Sequence, residues 1–397
     1  MPGRSCPLAR RYSRKRQKRS LNDYDFELDR VLSWLRDEGA KRVLIEAPEG
    51  LKQKIVAEVL PALSSYTVFM SSKPFHGACE VGDEEAGSLG VDHVIHFGHL
   101  QMVARRFPAL YVPAYYDFDP SPSFAELDIL LAKGGRNIAV AASVQYLRAL
   151  KPISEHLSEK GFNVMVENGK RTKAPAQILG CDYFALTSLA GKADQFLIVT
   201  AGDFHALGAV FALNRELLQL DPYSLSWKKL DPTALRSWVI GESYAWTKLE
   251  DAAKVGVIVG TEPGQRFLWE AEQAAAELRR SGKHVDIISA SNLDPAQLSA
   301  LPYDVLILAA CPRLPYDDAD SFSKPVVSVF SVLFGRPLGL RGWLNGNDLT
   351  VKSKQSSGIV EQGFSVKRVE KYSTVRDPVV QAHGSPLPYR FKRLSKC

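Results

Sequence analysis

A repeat limits this chain's fold more than any other feature. Strand, helix, strand and strand again recur three times in the same order, at intervals of roughly a hundred residues. The opening strands read Lys41-Arg-Val-Leu-Ile-Glu-Ala, Arg136-Asn-Ile-Ala-Val-Ala-Ala and Lys254-Val-Gly-Val-Ile-Val-Gly, each rich in β-branched residues and ended by a polar or Gly/Pro-containing loop. Apolar spacing of i, i+3/i+4 and i+7 predicts helices over Leu51–Leu63, Val144–Lys160 and Gln265–Ser281, the last stopped by Gly282. Second strands are predicted at Tyr66–Met70, Phe162–Val166 and His284–Ile288, and third strands at Asp92–Phe97, Asp194–Thr200 and Asp304–Ala310. Continuous apolar strands alternating with helices belong to parallel sheets covered on both faces. The expected architecture is α/β, with three repeated parallel-sheet units, and ligands in such sheets sit at the carboxyl ends of the strands.

Pro, Ser and Asp accumulate near Pro120–Ser123 and near Asp221–Trp246, which puts the units at residues 23–122, 123–235 and 236–340. Residues 1–22 read as a flexible basic tail. Residues 341–397 form a basic extension without the repeat's rhythm, in which Lys352–Gly358 and His383–Pro388 read as loop or disorder. The chain's net charge of +6 is unevenly spread: Met1–Ser20 holds eight Arg or Lys and no acid, and Arg341–Cys397 holds eleven against four acids, leaving −9 between them. Such a body is not a nucleic-acid surface, so polyanion affinity belongs to the two ends and no direct nucleic-acid contact is required. No run approaches the ~18–20 apolar residues of a membrane span, and the Arg-rich start lacks the apolar core of a secretory signal. Five cysteines, an odd number, argue against a disulfide framework and make a reducing cytoplasm the expected setting.

Three of those cysteines fall where the repeat predicts a site. Cys79 and Cys181 each lie thirteen residues before the Asp that opens the third strand of their unit, whereas Cys311 directly follows its third strand. Each occupies a carboxyl-terminal edge, so a pseudo-threefold arrangement of the units brings three thiolates into one central crevice. A lone cysteine is ordinarily a small buried hydrophobe, and Cys6 and Cys397 keep that reading. No CxxC or Cys/His knuckle supports structural zinc. Three thiolates suit an iron–sulfur cluster with one iron left open to chelate a substrate, because a fully ligated cluster takes four.

At these residues the sequence resembles the diphthamide-biosynthesis radical enzymes, the 2-(3-amino-3-carboxypropyl)histidine synthases, and especially their archaeal homodimeric form. The resemblance runs from about Tyr24 to Phe330 through Pro48-Glu-Gly-Leu-Lys, Gly77-Ala-Cys-Glu, His96-Phe-Gly-His, Leu179-Gly-Cys-Asp, Gly260-Thr-Glu-Pro-Gly-Gln and Ala310-Cys-Pro-Arg-Leu-Pro-Tyr-Asp-Asp. It implies a 4Fe-4S cluster on Cys79, Cys181 and Cys311, with S-adenosylmethionine on the open iron. An electron then breaks the bond from sulfur to the methionine γ-carbon, and the resulting 3-amino-3-carboxypropyl radical adds to imidazole C2 of a histidine in translation elongation factor 2, the first step of diphthamide biosynthesis. 5′-Methylthioadenosine leaves. The resemblance also implies a homodimer and an electron donor that the sequence does not identify. Two departures stand out: Gly202-Asp-Phe-His carries Asp203 where the family commonly has Arg, and residues 341–397 exceed the family's usual end.

Further site residues follow from the cofactor's chemistry. Pro263-Gly264-Gln265 is expected to open a helix whose free N–H groups suit a carboxylate, or to be an ordinary strand-to-helix turn; Glu49-Gly50, capping the first strand, reads the same two ways. His99 and His205 follow third strands on the cysteine edge, where they tune the cluster, take up the proton released when the modified imidazole re-aromatises, or serve as structural histidines. Arg313 either forks onto the cofactor carboxylate or pairs with Asp317 or Asp318. Two other classes remain: a quinolinate-synthase-like enzyme using its cluster as a Lewis acid, and a non-enzymatic α/β binding scaffold.

Overall fold

The structure, a computed structural model, describes residues 23–345. The basic tail, nearly all of the carboxyl-terminal extension, Cys6 and Cys397 lie outside the described residues, as do the loops expected at Lys352–Gly358 and His383–Pro388.

In the amino-terminal part, strands run through β1 (Asp23–Asp25), β2 (Arg42–Glu46), β3 (Thr67–Met70), β4 (His93–Phe97), β5 (Ala109–Val112) and β6 (Tyr115–Asp117). The middle part holds β7 (Asn137–Ala142), β8 (Asn163–Met165), β9 (Gln195–Val199), β10 (Leu217–Leu220) and β11 (Trp227–Leu230). The last part holds β12 (Lys254–Gly260), β13 (His284–Ala290), β14 (Val305–Ala309) and β15 (Val326–Ser328). Three sheets result, ordered β3-β2-β4-β5, β8-β7-β9-β10-β11 and β13-β12-β14-β15, so the same second-first-third-fourth order recurs in each. All their pairings are parallel except β10–β11; β1 and β6 form a separate antiparallel ribbon.

One side chain fixes the start of each unit in the same way. The carboxylates of Asp92, Asp194 and Asp304, each just ahead of its unit's third strand, accept backbone N–H bonds from the first residue of the first strand: Arg42 at 3.2 Å, Asn137 at 3.0 Å and Lys254 at 2.8 Å. The third strand begins only after the Asp, so the carboxylate satisfies these N–H groups where the third strand has yet to start.

Helices cover the sheets. The first repeat continues from Glu49–Lys54 through a π turn (Ile55–Val59) and a 3-10 turn (Leu60–Leu63). The second pairs a 3-10 segment (Val144–Ala149) with Leu150–Glu159. The third begins at Leu268 rather than Gln265 and ends at Arg280. Pro263-Gly264-Gln265 therefore precedes the helix as a turn, closed by Gln265 N–H donating to Glu262 O at 2.9 Å. Glu49 and Gly50 form the first turn of a helix rather than a cap on β2.

Helices Asp203–Leu213 and Arg236–Asp251 belong to one continuous core with both the second and third sheets, joining Ala139 and Ile198 to Val257 and Ile307 through Phe211, Trp238 and Tyr316. Burying side chains of this size stabilises by roughly 1.5–3 kcal/mol each. A short helix at Gly339–Leu344 seats Trp343 on Phe267 and Phe330, so the extension expected from residue 341 opens as packed structure. Among the described residues no helix is long and apolar enough to cross a membrane.

Candidate metal centre

Cys79 follows the carboxyl end of β3, Cys181 that of β8 and Cys311 that of β14. All three thiols are free and half-buried. They sense one another: burial pushes Cys79 well above the ordinary thiol value, Gln265 opposes it, and the neighbouring Cys181 and Cys311 add to the rise. Burial likewise raises Cys181, against the pull of Arg171, and raises Cys311 to about 11, with Cys181 contributing. Three sheets thus bring one thiol each to a common place. Among the described residues no three His, Cys, Asp or Glu side chains converge closely enough to hold a single metal ion. Thiolates sharing one such ion stand only ~4 Å apart, whereas a cluster takes its thiolates on separate irons.

The loop after β12 roofs Cys79. Gly264 N–H donates to Cys79 O at 2.9 Å, and a Cβ on Gly264 would stand 2.5 Å from Cys79 Cα and Cβ. Only glycine admits this approach. The amide nitrogen of Gln265 is 3.2 Å from Cys79 Sγ and 3.3 Å from a Glu80 carboxylate oxygen, and a Lys73–Glu262 ion pair closes the same junction. With their N–H groups given to Cys79 and Glu262, Gly264 and Gln265 do not present the open helix terminus expected from the sequence.

Cys181 projects from a tight turn in which Leu179 and Asp182 exchange backbone hydrogen bonds at 2.9 and 3.0 Å. Asp182 accepts the backbone N–H groups of Arg171 and Phe184, and Arg171 Nη1 lies 3.9 Å from Cys181 Sγ. Beside this turn stands Phe204, half exposed, its ring over Arg313 at 4.2 Å.

Arg313 is buried. Its guanidinium donates to Asp317 at 2.8 Å and to Tyr183 OH at 2.8 Å and also lies over Trp238, while its Nε has no partner. Gly208 leaves room for this pairing, since a Cβ there would stand 2.1 Å from Arg313 Nη1. Of the two partners expected from the sequence, Asp317 rather than Asp318 takes the guanidinium.

His99 and His205 are near enough for the charge of His205 to bear on His99. Burial holds His99 well below the ordinary histidine value, reinforced by the charges His96 and His205 would carry. Burial and then Arg313 bring His205 down to about 3. Both are neutral imidazoles near neutral pH. His99 Nδ1 is 2.9 Å from His96 Nε2, and His96 Nδ1 is 2.7 Å from Glu46, whose carboxylate also takes the Arg105 guanidinium. Neither Glu46 nor His96 was among the expected site residues, although a charged residue ending an apolar strand is the signal that marks Glu46. Glu49 pairs with Lys52 at 2.7 Å with its carboxylate largely in solvent, and open space surrounds Gly50. Among the described contacts neither touches a cysteine. Asp203, the departure from the family pattern, is neutralised at the surface by Lys228 at 2.9 Å.

Residues 47–335 match the family model for diphthamide synthesis proteins. The chain belongs to the diphthamide synthesis protein family. It is 33% identical to the 2-(3-amino-3-carboxypropyl)histidine synthase of Pyrococcus horikoshii, covering 75% of this chain and 86% of that one. It is 27% identical to subunit 1 of the enzyme of that name from Dictyostelium discoideum, over 78% of this chain and 67% of that one. The crystal structure of Dph2 from Pyrococcus horikoshii with a 4Fe-4S cluster superposes with a TM-score of 0.70 at 30% identity, covering 80% of this chain and 91% of that one.

Proposed function

We infer that this chain is a 2-(3-amino-3-carboxypropyl)histidine synthase, a transferase that uses a 4Fe-4S cluster and S-adenosylmethionine. The observation that carries the reading is the meeting of three free thiols, one from each sheet, in a chain whose structural neighbour holds such a cluster. The residues fit that group: Cys79, Cys181 and Cys311 supply three thiolates, their protons leave on binding, and N–H groups already face two of the sulfurs. Membership of this family favours the transferase over a Lewis-acid condensing enzyme or a binding scaffold. The three units are read as arranged with pseudo-threefold symmetry about the cluster.

When bound and reduced, the cluster would supply the electron that opens S-adenosylmethionine between sulfur and the γ-carbon, and would take one electron back once the aminocarboxypropyl group has joined a histidine of translation elongation factor 2 and the imidazole sheds its C2 proton. Around it the protein's residues bind and orient. Pro263 and Gly264 shape the roof over Cys79, and Gln265 holds that cysteine's sulfur. Arg313 stiffens the wall behind Cys311 through Asp317 and Tyr183. His99 and His205, half-buried and held neutral, orient the target imidazole by hydrogen bonds, and the proton lost from its C2 passes on to solvent. Glu49 and Gly50, at the carboxyl edge of the first sheet, meet the outer part of the cofactor. The enzyme acts as a cytoplasmic homodimer supplied by a separate electron donor.

The test is anaerobic reconstitution of the full chain with iron and sulfide, followed by dithionite, S-adenosylmethionine and elongation factor 2. The expected result is visible cluster absorbance, release of methylthioadenosine and a modified histidine, all lost when Cys79, Cys181 and Cys311 are replaced by Ala. Iron binding that survives the triple substitution overturns the site assignment, and a loaded protein that yields neither product overturns the activity.

A further inference from the structure

The three cysteines do not have equivalent surroundings. Cys79 is met by a neutral amide, that of Gln265, and Cys311 by backbone N–H groups of Arg313 and Leu314. Cys181 alone is met by a side-chain cation whose charge is otherwise unspent. Among the described residues Arg171 has no carboxylate within ion-pair distance; Asp182 takes its backbone N–H, not its guanidinium. The guanidinium instead lies over the rings of Trp343 at 5.1 Å and Phe267 at 5.9 Å. Those rings form a fixed platform: Trp343 stacks on Phe330 with centroids 4.5 Å apart, and Phe267 meets both rings edge-on. Such a platform holds a cation in place but does not neutralise it. The nearest acceptor for the charge is Cys181 Sγ at 3.9 Å, the long end of an N–H···S contact, where charge matters more than the hydrogen bond.

We propose that Arg171 is a positioning residue for the cluster, setting its reduction potential through the contact with Cys181. The proposal rests on the cluster assignment above. The aromatic platform fixes the positive charge of Arg171 beside the Cys181 sulfur. Reduction adds a further negative charge, which a fixed cation stabilises, so Arg171 makes the cluster easier to reduce. The sequence reading has no signal for this residue: Arg171 stands in a loop ten positions before Cys181, and its platform is drawn from residues 267, 330 and 343.

The decisive comparison is Arg171→Met against Arg171→Lys in the full, anaerobically reconstituted protein. Methionine keeps an aliphatic cover on Trp343 and removes the charge; lysine keeps the charge. Redox titration followed by electron paramagnetic resonance is expected to show at least a tenfold fall in the reduction equilibrium for Arg171→Met, 59 mV for a one-electron couple, with Arg171→Lys between it and the wild type. Gln265→Met, which removes a neutral donor, is expected to shift less. Arg171→Met with wild-type iron content and an unmoved potential overturns the proposal. Where Arg171→Met does not load iron, Arg171→Lys decides: loading restored by the second cation supports the charge, and loading absent from both variants, with unchanged thermal unfolding of the metal-free proteins, overturns it. A wild-type protein that assembles no cluster overturns the functional reading itself, a result distinct from an unmoved potential in a loaded enzyme.

Discussion

Gly264→Ala should damage the metal centre from a position that carries no functional group. The added methyl would lie 2.5 Å from Cys79 Cα and Cβ and 2.7 Å from Met102 Cε, whereas ordinary contact begins at 3.4 Å. One of the two loops must therefore retreat by about 0.9 Å, and overpacking of this kind costs ~1–3 kcal/mol. The retreat also strains the 2.9 Å bond from Gly264 N–H to Cys79 O, a further ~0.5–1.5 kcal/mol, and carries the Gln265 amide off Cys79 Sγ. The combined loss is ~2–4 kcal/mol, which lowers the unfolding midpoint of the metal-free protein by about 4–8 °C. Calorimetry measures that shift, and iron per chain after reconstitution measures the damage to Cys79. Gly50→Ala is the control: no atom lies within 4 Å of its Cβ and its φ is ordinary, so as a helical Gly→Ala change it should be neutral or stabilising by up to ~1 kcal/mol. Unchanged midpoint and iron content in Gly264→Ala would refute the close-approach argument, as would a Gly50→Ala protein that melts as low as Gly264→Ala.

Other expectations follow from the charges. Burial alone would raise Glu46, but its bonds to His96 and Arg105 hold it below the ordinary carboxylate value; its stabilisation is therefore complete above about pH 4.5 and lost as pH falls through the lower folded value. Glu46→Gln should cost ~1–3 kcal/mol at neutral pH, because Arg105 loses one carboxylate but keeps Asp83 at 2.8 Å, and the deficit should shrink in acid when measured by urea unfolding; a pH-independent deficit contradicts the ion pair. For His205, held at about 3 against 6.5, the unfolded chain takes up a proton that the folded one refuses, so stability is full above pH 6.5 and declines toward pH 3. His205→Gln should flatten that limb; an identical pH profile would show that the imidazole is not held neutral. Asp203→Ala removes a pair more than half exposed on both sides and should cost at most ~1 kcal/mol, a midpoint shift of about 2 °C or less by calorimetry; a shift beyond about 5 °C would mean that Asp203 does more than neutralise Lys228.

The first and third strands of each unit are legible in the sequence because each is a buried apolar run, as Val43, Leu44 and Ile45 illustrate, whereas the half-exposed second strands β3, β8 and β13 are legible by their place between a helix and the third strand. The fourth strands are not. Ala109–Val112 is a four-residue run beside two prolines and Val326–Ser328 follows Pro325; such short runs become strands because a sheet edge is already waiting for them. Cys79 and Cys181 stand out by their matched offset, and Cys311 by its place after β14. The groups facing their sulfurs do not: Gln265 reaches Cys79 across 186 residues, and nothing periodic joins them. The helix expected from Gln265 begins at Leu268 because the residues before it are committed to the contact with Cys79.

The roof over Cys79 has a consequence for the order of events in the cell. Its donors, Gly264 and Gln265, and Cys311, the proposed fellow ligand, are synthesised long after Cys79 itself. At 5–20 residues per second, the 232 residues between Cys79 and Cys311 take roughly 12–46 s to translate. Until then Cys79 is a lone thiol without a lid, open to oxidation at the first rung of the cysteine ladder. A site built on all three cysteines therefore cannot close before the third sheet is made, and until then that early thiol has to stay reduced.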